Sequence, residues 1–152
     1  MKIAEILSRD RVILELKSIG KQEVIQELTA VLPKEGLDLD RVVQVLMDRE
    51  RLGSTGIGDG VAIPHGKLSG LNSLIAAFGR STKGVEFESL DGHPTHLFFL
   101  LVAPEDSAGA HLKALARVSR LFKDGQFRKV LMGAKDVDEL YRALLEEDEK
   151  YG

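Results

Sequence analysis

The stretch Asp48 to Lys67, DRERLGSTGIGDGVAIPHGK, concentrates the residue types in this chain that are suited to chemistry. Four glycines stand at positions 53, 56, 58 and 60, with Ser54 and Thr55 between them. Glycine lets backbone amides turn toward a ligand and lets the ligand come close. Concavities built from such amides bind anions. A short apolar segment follows and ends in Pro64-His65-Gly66. Pro64 fixes its own φ, and Gly66 is expected to leave open space beside the imidazole. The loop is not a Walker A sequence, because no Gly-Lys-Ser/Thr follows, and its G-x-G-x-G spacing is not G-x-G-x-x-G. The pattern suits a histidine held at a strand end beside an anion-binding loop. It suits equally a hairpin-like turn that carries an incidental histidine.

Helical phase brings further side chains to the same place. Between positions 39 and 52, Leu39, Val42, Val43, Leu46 and Met47 form one apolar stripe. At about 100° per residue, Glu50 falls within that stripe, Arg49 at its edge, and Asp48 and Arg51 point away. Buried charges need partners. A structural Arg49–Glu50 ion pair is one reading, and a guanidinium held ready for bidentate contact with a phosphoryl group is the other. Farther along, His111 shares a helical face with Leu115, Val118 and Phe122, while Lys113, Arg117 and Arg120 lie on the opposite side. His111 is therefore expected to look inward from a helix N-terminus, where the partial positive charge favours anions and neutral imidazole. A satisfied core histidine would look the same.

Arg11–Leu16 is a strand. Positions 21 to 32 and 39 to 52 are helices, the second with Asp38 or Asp40 as N-cap. Val61–Ile63 and Leu74–Gly79 are short strands, and Thr95–Val102 is a buried one. The stretches 111–122 and 125–132 are helices, and a last helix starts at Asp136. The tail EEDEKYG reads as a solvated, fraying end. Strands and helices mix without strict βαβ alternation, which predicts a mixed sheet flanked by helices on both faces. No linker divides the chain, so positions 1–152 are expected to form a single domain.

Composition excludes several classes. The net charge of −3 gives no global field for nucleic acid. Without cysteine there is no disulfide, thiol nucleophile or thiolate metal site. No apolar run reaches the ~18 residues of a membrane span, and the N-terminus lacks the features of a signal peptide. The expectation is a cytoplasmic protein with no direct membrane insertion. His93 and His96 have an H-x2-H spacing, but with no third ligand in view no metal site is expected. The basic run Lys113, Arg117, Arg120, Lys123, Arg128 and Lys129 reads as a solvated helix face.

The pattern E50-x6-I57-G58-x2-V61-A62-I63-P64-H65-G66 resembles the signature of the fructose/mannitol-type enzyme IIA domains (EIIA type 2) of the bacterial sugar phosphotransferase system, the PTS. The resemblance runs over nearly the whole chain and is strongest to the nitrogen-regulatory branch, enzyme IIA-Ntr, through RERLGSTGIGDGVAIPHGKL. It implies a three-layer α/β/α sandwich. It implies that His65 accepts a phosphoryl group from the carrier HPr or its nitrogen-branch counterpart NPr, with Arg49 and His111 beside it. Ser54, Thr55, Gly58, Asp59, Gly60 and Gly66 would surround that site. No cofactor or metal is implied, since the donor is already a phosphohistidine. An apolar ring is expected where the carrier docks.

Three functions remain in competition on the sequence alone. The first is a nitrogen-branch phosphoryl relay or regulator. The second is a sugar-specific enzyme IIA that hands phosphate to a cysteine of a IIB protein. The third, from another class, is a binding module with this fold and no phosphotransfer.

Overall fold

The computed structural model describes residues 1–151. In chain order the elements are α1 (Ile3–Ile6), β1 (Val12–Ile13), α2 (Lys21–Thr29), α3 (Leu39–Arg51), β2 (Gly56–Gly58), β3 (Val61–Ala62), β4 (His65–Leu68), β5 (Ile75–Val85), β6 (Thr95–Pro104), α4 (Ala108–Phe122), α5 (Gly125–Gly133) and α6 (Val137–Glu149). The strands form one mixed sheet in the order β1-β5-β6-β3-β2. β4 continues the line of β3, so that both lie parallel to the same edge of β6. β5 and β6 are antiparallel.

The continuous apolar run of β6 is explained by its two covered faces. Leu97, Phe99 and Leu101 alternate with Phe98, Leu100 and Val102, and each set enters a different core. The first core lies under α1, α4, α5 and α6, where Phe78, Phe99 and Phe122 pack together. The second lies under α2 and α3, with Phe87 edge-on to Phe98 at 5.2 Å between ring centroids. The result is a three-layer α/β/α sandwich with a mixed sheet, as expected. Among the described residues no helix is long and apolar enough to cross a membrane.

Local chemistry sets the element ends. Asp38 caps α3 through Arg41 N, Asp124 caps α5 through Gln126 N and Phe127 N, and Asp136 caps α6 through Glu139 N. Several boundaries differ from the sequence reading. The strand expected over 11–16 is paired only at Val12–Ile13, because Arg9–Arg11 is a 3₁₀ turn, and Leu16 N merely donates to Arg80 O at 2.7 Å. α1, β2 and β4 are too short to leave a periodic signal.

The C-terminal stretch corrects an expectation. Glu147 and Asp148 of EEDEKYG are buried rather than solvated, and helix α6 runs through them. Asp148 accepts from Ile3 N at 2.7 Å and from Arg117 Nε, whose Nη2 also donates to Asp148 O at 3.0 Å. Arg117, read as part of a solvated basic face, is therefore the half-buried partner of a buried carboxylate. The remaining residue of that tail, Gly152, lies outside the described residues.

Candidate functional site

β4 places His65 opposite Leu101 of β6, and Leu101 N donates to Pro64 O at 2.9 Å. The chain around Pro64 is thereby fixed on the sheet. The ring turns back so that Nδ1 lies 2.7 Å from the carbonyl oxygen of Ile63. A carbonyl only accepts, so Nδ1 carries the proton and Nε2 keeps a lone pair. The strand end that supplies Pro64-His65 also explains Gly66. A Cβ there would stand 2.7 Å from Val45 Cγ1 of α3. Gly66 thus permits the close packing of α3 on β4, and the space beside it is filled by Val45 rather than open.

Helix α4 brings in the second histidine. β6 ends at Pro104, a turn follows in which Ser107 N donates to Pro104 O at 3.2 Å, and His111 falls in the first turn of α4. Its ring centroid is 5.5 Å from that of His65, with the planes tilted by 51°. His111 is buried, and its Nδ1 has no hydrogen-bond partner. An unpaired buried lone pair is more readily tolerated than an unpaired buried N–H. The proton therefore belongs on Nε2, where His111 can donate.

Both imidazoles are held below the ordinary histidine pKa of 6.5. For His65 burial is the main cause; the Ile63 hydrogen bond opposes it, Arg49 lowers the value further and Glu50 raises it. For His111 burial again leads, followed by the neighbouring His65 and Lys67. Near pH 7 both rings are neutral.

Around the pair lies an open depression of about 500 Å³ lined by Val45, Asp48, Arg49, Leu52, His65, Gly66, Lys67 and His111. Arg49 projects from the end of α3, and its Nη1 donates to Gly53 O at 2.9 Å. That single bond steadies the guanidinium and leaves other donors for a ligand. Leu52, 84% exposed, stands on the rim. Three of the residues singled out in the sequence, His65, Arg49 and His111, thus meet at one place. Lys67 was not singled out. Its alternation with His65 along β4 was the available signal, and β4 itself was not recognised.

The glycine-loop residues fall elsewhere. Glu50 does face inward, but its partners are Lys21 Nζ at 3.0 Å, Thr55 N at 3.2 Å and the Thr55 hydroxyl, not Arg49. Ser54 Oγ donates to Phe87 O at 2.9 Å and accepts from Gly56 N. Gly58, Asp59 and Gly60 form the β2–β3 turn with φ of 93°, 57° and 76°. Asp59 N donates to Asp91 Oδ2, and Gly60 O accepts from His96 N and Leu97 N. Val61 pairs with Leu97 and His65 with Leu101, so this turn sits four residues away along β6, about 13 Å at 3.3 Å per residue. The glycines serve a tight turn and do not line the depression.

Comparisons with known proteins agree with this fold. The profile of the family described as "Phosphoenolpyruvate-dependent sugar phosphotransferase system, EIIA 2" matches residues 5–147. A nitrogen regulatory protein of Bradyrhizobium diazoefficiens is 41% identical over 145 residues, covering 95% of each chain. The fructose-specific EIIABC component of Bacillus subtilis is 41% identical over 150 residues, which is 97% of this chain and 24% of that protein. The crystal structure of the nitrogen regulatory protein IIA-Ntr from Neisseria meningitidis superposes with a TM-score of 0.88 at 36% identity, covering 93% of this chain and 98% of that one. On these grounds the chain belongs to the EIIA type-2 family of the phosphoenolpyruvate-dependent sugar phosphotransferase system.

Proposed function

We propose that this protein is a phosphoryl carrier of the nitrogen-regulatory branch that receives phosphate on His65 Nε2 from HPr or NPr. The observation that carries the reading is the 2.7 Å contact of His65 Nδ1 with Ile63 O. It leaves Nε2 as the free nitrogen of a ring that lines the depression together with Arg49 and His111.

Transfer then proceeds by displacement at phosphorus. The Nε2 lone pair attacks, a new N–P bond forms, and the bond to the donor imidazole breaks with its electron pair returning to the donor nitrogen. The proton stays on Nδ1, hydrogen-bonded to the Ile63 carbonyl, throughout. Phosphoryl transfer needs alignment and charge stabilisation more than covalent help. Arg49 supplies donors to the equatorial oxygens, His111 Nε2–H supplies another, and Lys67 adds positive charge on the same side. The exposed Leu52 on the rim is placed to exclude water when a carrier docks.

A second reading has its own support in the 41% identity to a segment of a fructose-specific component. In that role His65 would pass phosphate to a cysteine of a IIB protein. The third, a binding module without phosphotransfer, has no such support, since the histidine pair and Arg49 are all in place. Incubation with phosphoenolpyruvate, enzyme I and either HPr or NPr separates these. Labelling from NPr with no onward transfer to IIB supports the regulatory reading, rapid transfer to a IIB cysteine supports the sugar-specific one, and no labelling from active carriers removes both.

A further inference from the structure

The inward-facing carboxylate of Glu50 is unexpected for a residue beside a phosphate site, because it carries the wrong charge to bind the ligand. Glu50 is 5% exposed and does not line the depression. Burying a carboxylate is strongly unfavourable unless it is paired and hydrogen-bonded. Lys21 meets one oxygen at 3.0 Å and is itself held over the Phe87 ring, 4.9 Å from the centroid, with Glu88 at 3.1 Å. The other hydrogen bonds of the Glu50 carboxylate go to a single residue, Thr55, through both its backbone N–H and its hydroxyl.

Thr55 is the start of a chain of contacts that ends on the imidazole. Its carbonyl accepts from Ile63 N at 3.1 Å. The carbonyl of that same Ile63 accepts from His65 Nδ1 at 2.7 Å. The peptide units on either side of Ile63 are thus tied at one end to Thr55 and at the other to the catalytic ring. Moreover, the negative charge of Glu50 acts on His65 in the sense opposite to that of burial and Arg49. Hydrogen-bonded partners behind a reacting histidine commonly set its tautomer and orientation.

We infer that Glu50, neutralised by Lys21, is a positioning residue for His65 that acts through Thr55 and the backbone of Ile63. The ion pair at the base of α2 and α3 thereby reaches the reacting nitrogen without touching the ligand. The inference rests on His65 being the phosphoacceptor, and it assigns Thr55 to the support of the imidazole rather than to phosphate.

The test compares Thr55→Val, Thr55→Ser and Glu50→Gln with the unaltered chain. Two readouts are taken: the ¹⁵N shifts of His65 in the unphosphorylated protein, and the rate of transfer from HPr or NPr at varied carrier concentration. Unaltered protein should show His65 as the Nδ1–H tautomer. Thr55→Val and Glu50→Gln should give a mixed tautomer population. They should also lower the maximal transfer rate about 10-fold to 100-fold, with KM for the carrier within about twofold. Thr55→Ser, which keeps the hydroxyl, should restore both readouts. A merely structural brace would instead change the thermal midpoint while leaving the tautomer and maximal rate of the folded protein intact. That result in Thr55→Val overturns the inference, even if Glu50→Gln fails to fold. The tautomer measurement needs no carrier. Failure of the unaltered protein to take phosphate would therefore remove the proposed function without deciding this comparison.

Discussion

The rings of His65 and His111 stand 5.5 Å apart, tilted by 51°, at the edge of one depression. At that separation a phosphoryl group on one nitrogen lies within hydrogen-bond reach of the other ring. The two histidines arrive from different elements, β4 and α4, and nothing in the local sequence of either determines their meeting.

Replacing His111 by alanine should slow phosphoryl transfer without abolishing it. The donor it offers is one of several, so a loss of about 10-fold to 100-fold in the maximal rate is expected. Rapid-quench labelling measures this. Equal rates for the two proteins would remove His111 from the mechanism.

The Arg49 side chain is held by one hydrogen bond, to Gly53 O. Arg49→Ala should cost about 1 kcal/mol of stability at most and slow transfer by about 100-fold or more. Arg49→Lys should recover little of the rate, because a point charge cannot replace the planar fork. Urea unfolding and transfer kinetics on the same samples check both halves of the statement.

Both histidines have depressed pKa values, so pH dependence has a definite sign. Transfer to His65 should be flat above pH 6.5 and fall on the acid side, as the pH drops through the lowered pKa and the lone pair is lost. Stability follows the same direction. The unfolded chain takes up protons near pH 6.5 and the folded one only below it, so stability declines as pH falls through that window. Replacing His65 by glutamine should flatten part of that acid limb. NMR titration of the His65 ring against chemical denaturation at each pH makes the comparison, and a His65 pKa above 6.5 would contradict it.

Gly66 offers a steric test of how α3 is seated. Gly66→Ala puts a Cβ 2.7 Å from Val45 Cγ1, which should destabilise the protein by about 1–3 kcal/mol through overpacking. Adding Val45→Ala removes the clash and should return about half or more of the loss by ordinary coupling between touching residues. Additive losses in the double variant would place the strain elsewhere.

The pair Arg117–Asp148 anchors the last helix to the N-terminus through Ile3 N. Asp148→Ala removes the carboxylate partner of the half-buried Arg117 and the acceptor of Ile3 N, leaving Arg117 only the bond to the main-chain oxygen at 148, and should cost about 2–4 kcal/mol. Labelling of His65 in the protein that remains folded should be unchanged. Loss of labelling in fully folded Asp148→Ala would show that the clamp reaches the site.

How much of this could be read from the residues follows from where each signal resides. The inward phase of Arg49, Glu50 and His111 came from helical periodicity, which depends only on neighbours along the chain. The buried run of β6 and the caps at Asp38 and Asp136 are local as well. The partners of Glu50 were not legible, because Lys21 lies 29 positions away on another helix. The same holds for Asp148, whose partners Ile3 and Arg117 make an apparently solvated acidic tail into a buried clamp. HGKL has no strand pattern, and it becomes β4 only because β6 supplies the hydrogen bonds. The glycine loop looked like a phosphate cradle because positive-φ turns and anion nests draw on the same residue type.

The proposed function turns on the nitrogen that takes the phosphate. The direct measurement is ¹⁵N–³¹P NMR on protein labelled through enzyme I and NPr or HPr. The expected result is an acid-labile phosphate with its N–P coupling at Nε2 of His65 and the proton still on Nδ1. Phosphate on Nδ1, on another residue, or in an acid-stable form would contradict it.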